Sequence, residues 1–331
     1  MKISRERLQA EAQSTGFRPE LLEKVLQLLN LLERFQEHPF LKGRLALKGG
    51  TALNLFLFDL PRLSVDIDLN YIGAAGRDAM LSERPKVETA LNAVCSRENM
   101  SVVRQPDAHA GGKWRLRYES SVTEGGNLEI DLNYMFRVPL WPVTSSDSRP
   151  VGASRARAIP ILDIHELAAG KLAALLSRHA GRDLFDVHQL FTHADLEREK
   201  LRLAFVLYGA MNRRDWRTVS ADDIVLAPGD LETQLLPLLR AALVDNLADG
   251  DKWAAALVED CRGGMDSVLP LAESEVEFLD QLLDRGEIVA SLLTSDEQMA
   301  ERISSHPLLQ WKALNVRQHR EGGHGDNDHG G

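Results

Sequence analysis

Apolar positions along residues 19–37 recur at three-to-four spacing. Leu21, Leu22, Val25, Leu28, Leu29, Leu32 and Phe35 share one side of a helix that opens with Pro19 at a favoured first position. Leu45-Ala46-Leu47 is then a short apolar run ending at Gly49-Gly50, and Thr51-Ala52-Leu53-Asn54-Leu55-Phe56 follows it. That order predicts strand, tight turn and helix. Three later stretches change to a period of two. Val65, Ile67, Leu69 and Tyr71 alternate with Asp66, Asp68 and Asn70. Trp114, Leu116 and Tyr118 alternate with Lys113, Arg115 and Arg117. Leu128, Ile130, Leu132 and Tyr134 alternate with Glu129, Asp131 and Asn133. Each is a strand with one apolar face and one charged face, and together they predict a mixed or antiparallel sheet. Asp-Leu-Asn-Tyr occurs twice, at 68–71 and 131–134, too short a match to establish a duplication.

Regular patterning breaks over residues 139–160, where four prolines and a Ser/Thr cluster fall. From Asp163 the spacing turns helical, with Leu167, Leu172, Leu175, Leu176, Leu184, Phe185, Leu190 and Phe191, and amphipathic stretches continue to about Leu293. The pattern predicts an α+β chain: a first domain over 1–158 that carries the sheet, a helical domain over 159–318, and a disordered, Gly-rich tail over 319–331.

Composition sharpens this picture. The 331 residues hold 39 Lys+Arg against 49 Asp+Glu, a formal charge of −10, but the acidity is one block. Residues 1–217 carry 31 basic and 27 acidic side chains, whereas residues 218–298 carry 4 and 18. A mildly basic front portion leaves a surface able to attract phosphates. The plain alternative is a solvated acidic helical face. Cys95 and Cys261 stand alone, which excludes a disulfide framework and a CxxC zinc site. With no signal-peptide core and no membrane-length apolar run, a cytoplasmic protein with no membrane partner is expected.

Carboxylates at i and i+2 on a strand project the same way, as two hard divalent cations bridged by phosphates require. Asp66 and Asp68 have that spacing, although an Asp-x-Asp alone is more often a solvated edge. The Gly49-Gly50-Thr51 turn before a helix adds an anion-binding element. Taken in order, Gly49-Gly50-Thr51, Asp66-x-Asp68 and Asp131 resemble the nucleotidyltransferases of the polymerase-β-like superfamily. Fifteen residues separate Gly50 from Asp66, slightly more than is usual there, and Thr51 or Gly50 stands where many members have Ser. A narrower resemblance, to the AbiEii/AbiGii nucleotidyltransferase toxins, rests on Leu47-Lys48-Gly49-Gly50-Thr51-Ala52-Leu53, Arg62-x-Ser64-x-Asp66-Ile67-Asp68-Leu69 and Glu129-Ile130-Asp131-Leu132. It rests also on Lys171 followed by Arg182-Asp183-Leu184-Phe185-Asp186.

The resemblance implies a polymerase-β-like catalytic domain, with Asp66, Asp68 and Asp131 as metal ligands and catalytic acids. Lys171 and Asp186 would orient a nucleoside triphosphate. Lys48, Gly49, Gly50, Thr51, Ser64, Arg182 and Asp183 would complete its binding site, and Ser64 is also a candidate for silencing by phosphorylation. The implied reaction uses Mg²⁺ or Mn²⁺ to move a nucleotide onto an RNA acceptor, by family likeness the 3′ end of tRNA, and a cognate antitoxin is implied. Rival readings are nucleotidyl transfer to a small molecule or protein, and an inactive nucleotide-binding module. Lys171 as a surface lysine, Asp183 and Asp186 as first-turn acids favoured by the helix dipole, and Ser64 as an ordinary serine are the bland alternatives. His165, His179, His188 and His193 show no zinc-like arrangement. Lys113, Arg115 and Arg117, like Arg213, Arg214 and Arg217, either track an RNA backbone or form a solvated face. Trp311-Lys312 resembles the family's terminal segment.

Overall fold

The computed structural model describes residues 3–106, 108 and 110–323. Its centre is one seven-stranded mixed sheet, ordered β3-β4-β5-β2-β1-β7-β6. The strands are β1 (Leu45–Lys48), β2 (Asp66–Tyr71), β3 (Ser101–Arg104), β4 (Gly111–Tyr118), β5 (Gly126–Asn133), β6 (Thr144–Ser146) and β7 (Ile159–Ile161). The expected α+β fold with a mixed sheet is therefore observed. β2 runs parallel to β5 and antiparallel to β1, while β4 and β5 are antiparallel.

Alternation along the strands decides the faces. Ile67, Leu69, Tyr71, Trp114, Leu116, Leu128, Ile130 and Leu132 are buried. The helices α1 (Arg5–Thr15), α2 (Pro19–Glu37), the four-residue α3 (Gly49–Ala52) and α4 (Arg77–Arg97) belong to this part of the chain, and α2 packs on α4 and β5. The stretch 139–160, read from its prolines as interrupted, is largely irregular but also supplies β6. Together with β7, which begins just beyond the expected boundary at 158, β6 forms a hairpin that extends the sheet. Leu162 N there donates to Leu47 O at 3.1 Å.

The helical part opens with α5 (Ile164–Arg178), whose N-terminal amide at His165 donates to the Asp163 side chain. His179 takes a left-handed conformation, φ 57°, and ends α5 so abruptly that α6 (Gly181–His193) begins after a single further residue. α7 (Arg198–Ala210) packs against α5, and the chain finishes with helices Glu297–Ser305 and Pro307–Gly323. That last helix continues past residue 319, where a disordered tail was expected from composition, because no glycine interrupts it before the pair at its end. The rest of that tail lies outside the described residues. One buried apolar cluster spans both parts, from Ile3 to Ala313. Among the described residues no helix is long and apolar enough to cross a membrane.

Candidate active site

The carboxylates come together through strand register. On the parallel pair β2 and β5, Asp66 lies beside Glu129, Asp68 beside Asp131 and Asn70 beside Asn133. The two Asp-Leu-Asn-Tyr segments are thus neighbours, and their first residues present a pair of carboxylates on one face. The four acids have different surroundings. Glu129 is held by Lys113 at 3.2 Å and Arg115 at 3.1 Å. Burial would raise its pKa, but these two cations win and lower it. Asp66 reaches Arg182 at 3.7 Å and Lys24 at 3.9 Å. Asp68 and Asp131 have no hydrogen-bond or ion-pair partner among the described residues.

The Gly-Gly turn is shaped around these strands. Gly49 has φ 70°, and a Cβ there would overlap the Asp68 carboxylate, so two independent constraints demand glycine. A Cβ on Gly50 would lie 2.8 Å from Arg62 Nη2 and 3.1 Å from Ser64 Oγ. The buried Thr51 hydroxyl donates to Asp66 O at 2.5 Å and lies 2.9 Å from Ser64 Oγ. Thr51 therefore fastens the start of β2, and it is Lys48, Gly49, Gly50 and Ser64 that line cavities.

Behind the turn is a buried ion cluster. The tight corner between α5 and α6 sets Lys171 against two acids one helical turn apart. Lys171 Nζ is 2.9 Å from Asp183 and 2.7 Å from Asp186. Asp186 is fully buried and also accepts two bonds from Arg62, at 2.8 and 2.6 Å, and one from Asn54 at 2.8 Å. Arg178 reaches Asp183 at 2.8 Å. Burial pushes the Asp186 pKa up, but Arg62 and Lys171 overcome it and hold it down to about 2. Burial likewise opposes charge on Lys171, and the two aspartates more than compensate, raising its pKa. Three cations thus meet two anions, which leaves local positive charge beside the strand carboxylates.

Two cavities flank that arrangement and share Asp68, Asp131, Lys171 and Arg178. One, of about 340 Å³, is charged and includes Gly50, Ser64, Asp66, Arg182 and Asp183. The other, of about 450 Å³, has Phe136, Tyr208 and Leu308 in its wall, with the rings of Phe136 and Tyr208 5.3 Å apart. Glu166, buried in this wall, accepts bonds from Leu140 N, Trp141 N and Tyr208 Oη, and burial raises its pKa to about 7. The Oδ1 atom of Asn70, also in the wall, is buried without a partner.

The residues expected for the metal and nucleotide site sit at or behind these cavities, although Asp186 lines neither and Thr51 acts through Ser64 and Asp66; Arg217 is instead paired with Asp215, Asp280 and Asp284, and Trp311 lies in a separate groove. Sequence reading passed over Arg62 as a functional residue, together with Asn54, Arg178, Glu166 and Tyr208. A lone arginine among Leu60, Leu63 and Val65 was the available signal for Arg62; Arg178 offered none. His165 lies elsewhere, accepting from Glu197 N and contacting Asp163.

The donor set suits a hard cation: oxygen ligands, two of them uncommitted and registered on adjacent strands. Among the described residues no three His, Cys, Asp or Glu side chains already converge on one point. Asp66 is instead turned toward Lys24 and Arg182, so substrate phosphates would have to complete the coordination.

The matching family model, described as the nucleotidyl transferase AbiEii toxin of type IV toxin–antitoxin systems, covers residues 30–280. Among solved structures, MenT4, a nucleotidyltransferase toxin from Mycobacterium tuberculosis H37Rv, is similar in fold. The TM-score is 0.62 at 16% identity, over 96% of this chain and 100% of that one. No curated protein matches the chain. With its sheet, paired aspartates and α5–α6 ion cluster falling inside the matched span, the chain belongs to the AbiEii family of nucleotidyltransferase toxins of type IV toxin–antitoxin systems.

Proposed function

We propose that this toxin transfers a nucleotide from a nucleoside triphosphate to the 3′ end of an RNA, tRNA being the expected acceptor, and so withdraws it from translation. The observation that carries the reading is the uncommitted Asp68–Asp131 pair, set in register between two cavities and facing Lys171 and Arg178. The charged cavity takes the nucleoside triphosphate, and the cavity walled by Phe136, Tyr208 and Leu308 admits the acceptor end. Lys171, Arg178 and Arg182 oppose the triphosphate charge, with Lys48 and the Gly49-Gly50 turn beside them. Asp183 and Asp186 are positioning residues that hold Lys171 in place and charged.

In the transfer, an acceptor hydroxyl oxygen bonds to the α-phosphorus, the α–β phosphoanhydride bond breaks, pyrophosphate leaves, and the hydroxyl proton passes to Asp131. Mg²⁺ or Mn²⁺, held by Asp68 and Asp131 and by Asp66 once it leaves Lys24 and Arg182, would supply charge neutralisation at the phosphates. A phosphate on Ser64 would enter the charged cavity beside Asp66 and oppose both metal and triphosphate. The mildly basic first 217 residues favour RNA over a small acceptor. A cognate antitoxin is the expected partner.

The test is incubation with Mg²⁺, each α-labelled triphosphate in turn and total RNA, for the native chain and Asp68→Asn. Label on tRNA-sized RNA that disappears in the variant supports the reading. Label confined to protein or small molecules overturns the RNA acceptor.

A further inference from the structure

A groove of about 950 Å³ lies between the start of α4, the segment following β5 and the terminal helix Pro307–Gly323. Arg77, Arg137 and Arg317 line it, and among the described residues no carboxylate does, against the trend of a chain with charge −10. Arg137 is buried and braces the floor through Ala75 O and Tyr134 O. Arg77 is open to solvent, with the fully exposed Asp78 4.0 Å away outside the groove lining, and Arg317 gives Nη1 to Gly286 O at 2.8 Å. On the terminal helix, Trp311 is 52% exposed and Leu314, one turn on, 45%. Leu308, one turn back, lines both this groove and the cavity beside Asp68 and Asp131. Lys312, the neighbour of Trp311, turns the other way and donates to Asn212 O at 2.6 Å, at the wall of that cavity.

A groove that shares Leu308 with a catalytic cavity, carries an exposed indole and is lined by arginines but no carboxylate matches the requirements of single-stranded nucleic acid. Such strands are held by stacking on aromatic faces and by cations along the backbone. An acidic or purely apolar protein segment would leave one of those two features unused.

We propose that this groove holds the unpaired 3′ end of the RNA acceptor. A base stacks on Trp311, phosphates lie against Arg77 and Arg317, and the terminal ribose passes Leu308 to reach the carboxylates. This rests on the RNA-acceptor reading above.

The probe is a fluorescein-labelled RNA hairpin with four unpaired 3′ nucleotides, with a blunt hairpin as control. Binding is followed by anisotropy without triphosphate, and transfer is measured separately. Trp311→Ala should weaken the tailed hairpin about tenfold, Trp311→Phe should recover most of that, and the blunt hairpin should be insensitive to both. Arg77→Ala with Arg317→Ala should reduce the salt slope of log Kd by about 1.4. In transfer assays KM for the RNA should rise while KM for the triphosphate stays constant. Equal binding of the tailed hairpin by the native chain and Trp311→Ala would overturn the groove and leave the RNA acceptor standing. Absence of both RNA binding and RNA labelling by the native chain would overturn both.

Discussion

Asp186 shows how much a single side chain can carry when burial and charge oppose each other. Its carboxylate balances the largely buried Arg62 and Lys171, so Asp186→Ala strips Arg62 of its carboxylate partner and leaves Lys171 with Asp183 alone. The expected cost is about 3–5 kcal/mol, measured by denaturant or thermal unfolding. The sign with pH follows from its depressed pKa. The carboxylate's contribution is fully present above the unfolded value, 3.8, and is lost as pH falls from there through about 2. The stability gap between native chain and variant should therefore narrow between pH 5 and pH 2. Glu166 has the opposite sign. The unfolded side chain ionises above 4.5, while the folded one keeps its proton to about 7, so stability falls as pH rises across that window. Glu166→Gln can accept from Leu140 N and Trp141 N and donate to Tyr208, so it preserves the contacts. It should remove a pH-dependent loss on the order of 3 kcal/mol, read as a flatter Tm profile from pH 4.5 to 7.

At the scale of elements, β1, α3 and β2 work as one device. The left-handed Gly49 lets β1 turn into α3 while the Asp68 carboxylate occupies the space a side chain would need. Gly49→Ala is expected to cost about 1–2 kcal/mol from the backbone conformation. Its larger effect should be on transfer, about 100-fold in kcat, because the overlap displaces Asp68. Comparison of kcat with Tm for this variant checks the claim; a loss of rate no larger than the loss of stability accounts for would sink it. The α5–α6 corner is the second device. His179 ends one helix and Gly181 begins the next, so Lys171 meets both acids across a very short link. The register of β2 on β5 is the third, since a slip by one residue would turn either aspartate to the apolar face.

For the molecule as a whole, the sheet-bearing and helical parts share their charge balance as well as their core. Arg62 and Asp186 are 124 positions apart, and the apolar cluster runs through both parts. A fragment of residues 1–158 would lose β7 from beside β1 and expose Arg62 without its partner. It is expected to show no cooperative unfolding transition by circular dichroism, whereas the full chain is expected to show one. The acidic block over 218–298 lies in the helical part, so the positive charge available to a polyanion is contributed chiefly by the rest of the chain.

The sequence by itself determined the local structure: period-two alternation put Asp66 and Asp68 on one strand face, three-to-four spacing defined α2, and Gly49-Gly50 marked the turn. These follow from interactions between near neighbours, which a linear pattern records. Only the tertiary structure decided that Asp68 and Asp131 stand side by side, because register depends on strands 63 positions apart. It gave a physical reason for preferring Asp131 to its strand neighbour Glu129, by pairing Glu129 with Lys113 and Arg115 and leaving Asp131 open. It also brought Arg62 to Asp186 and Trp311 to the groove. Burial and pairing are properties of what lies across the fold, and those partners come from distant parts of the chain.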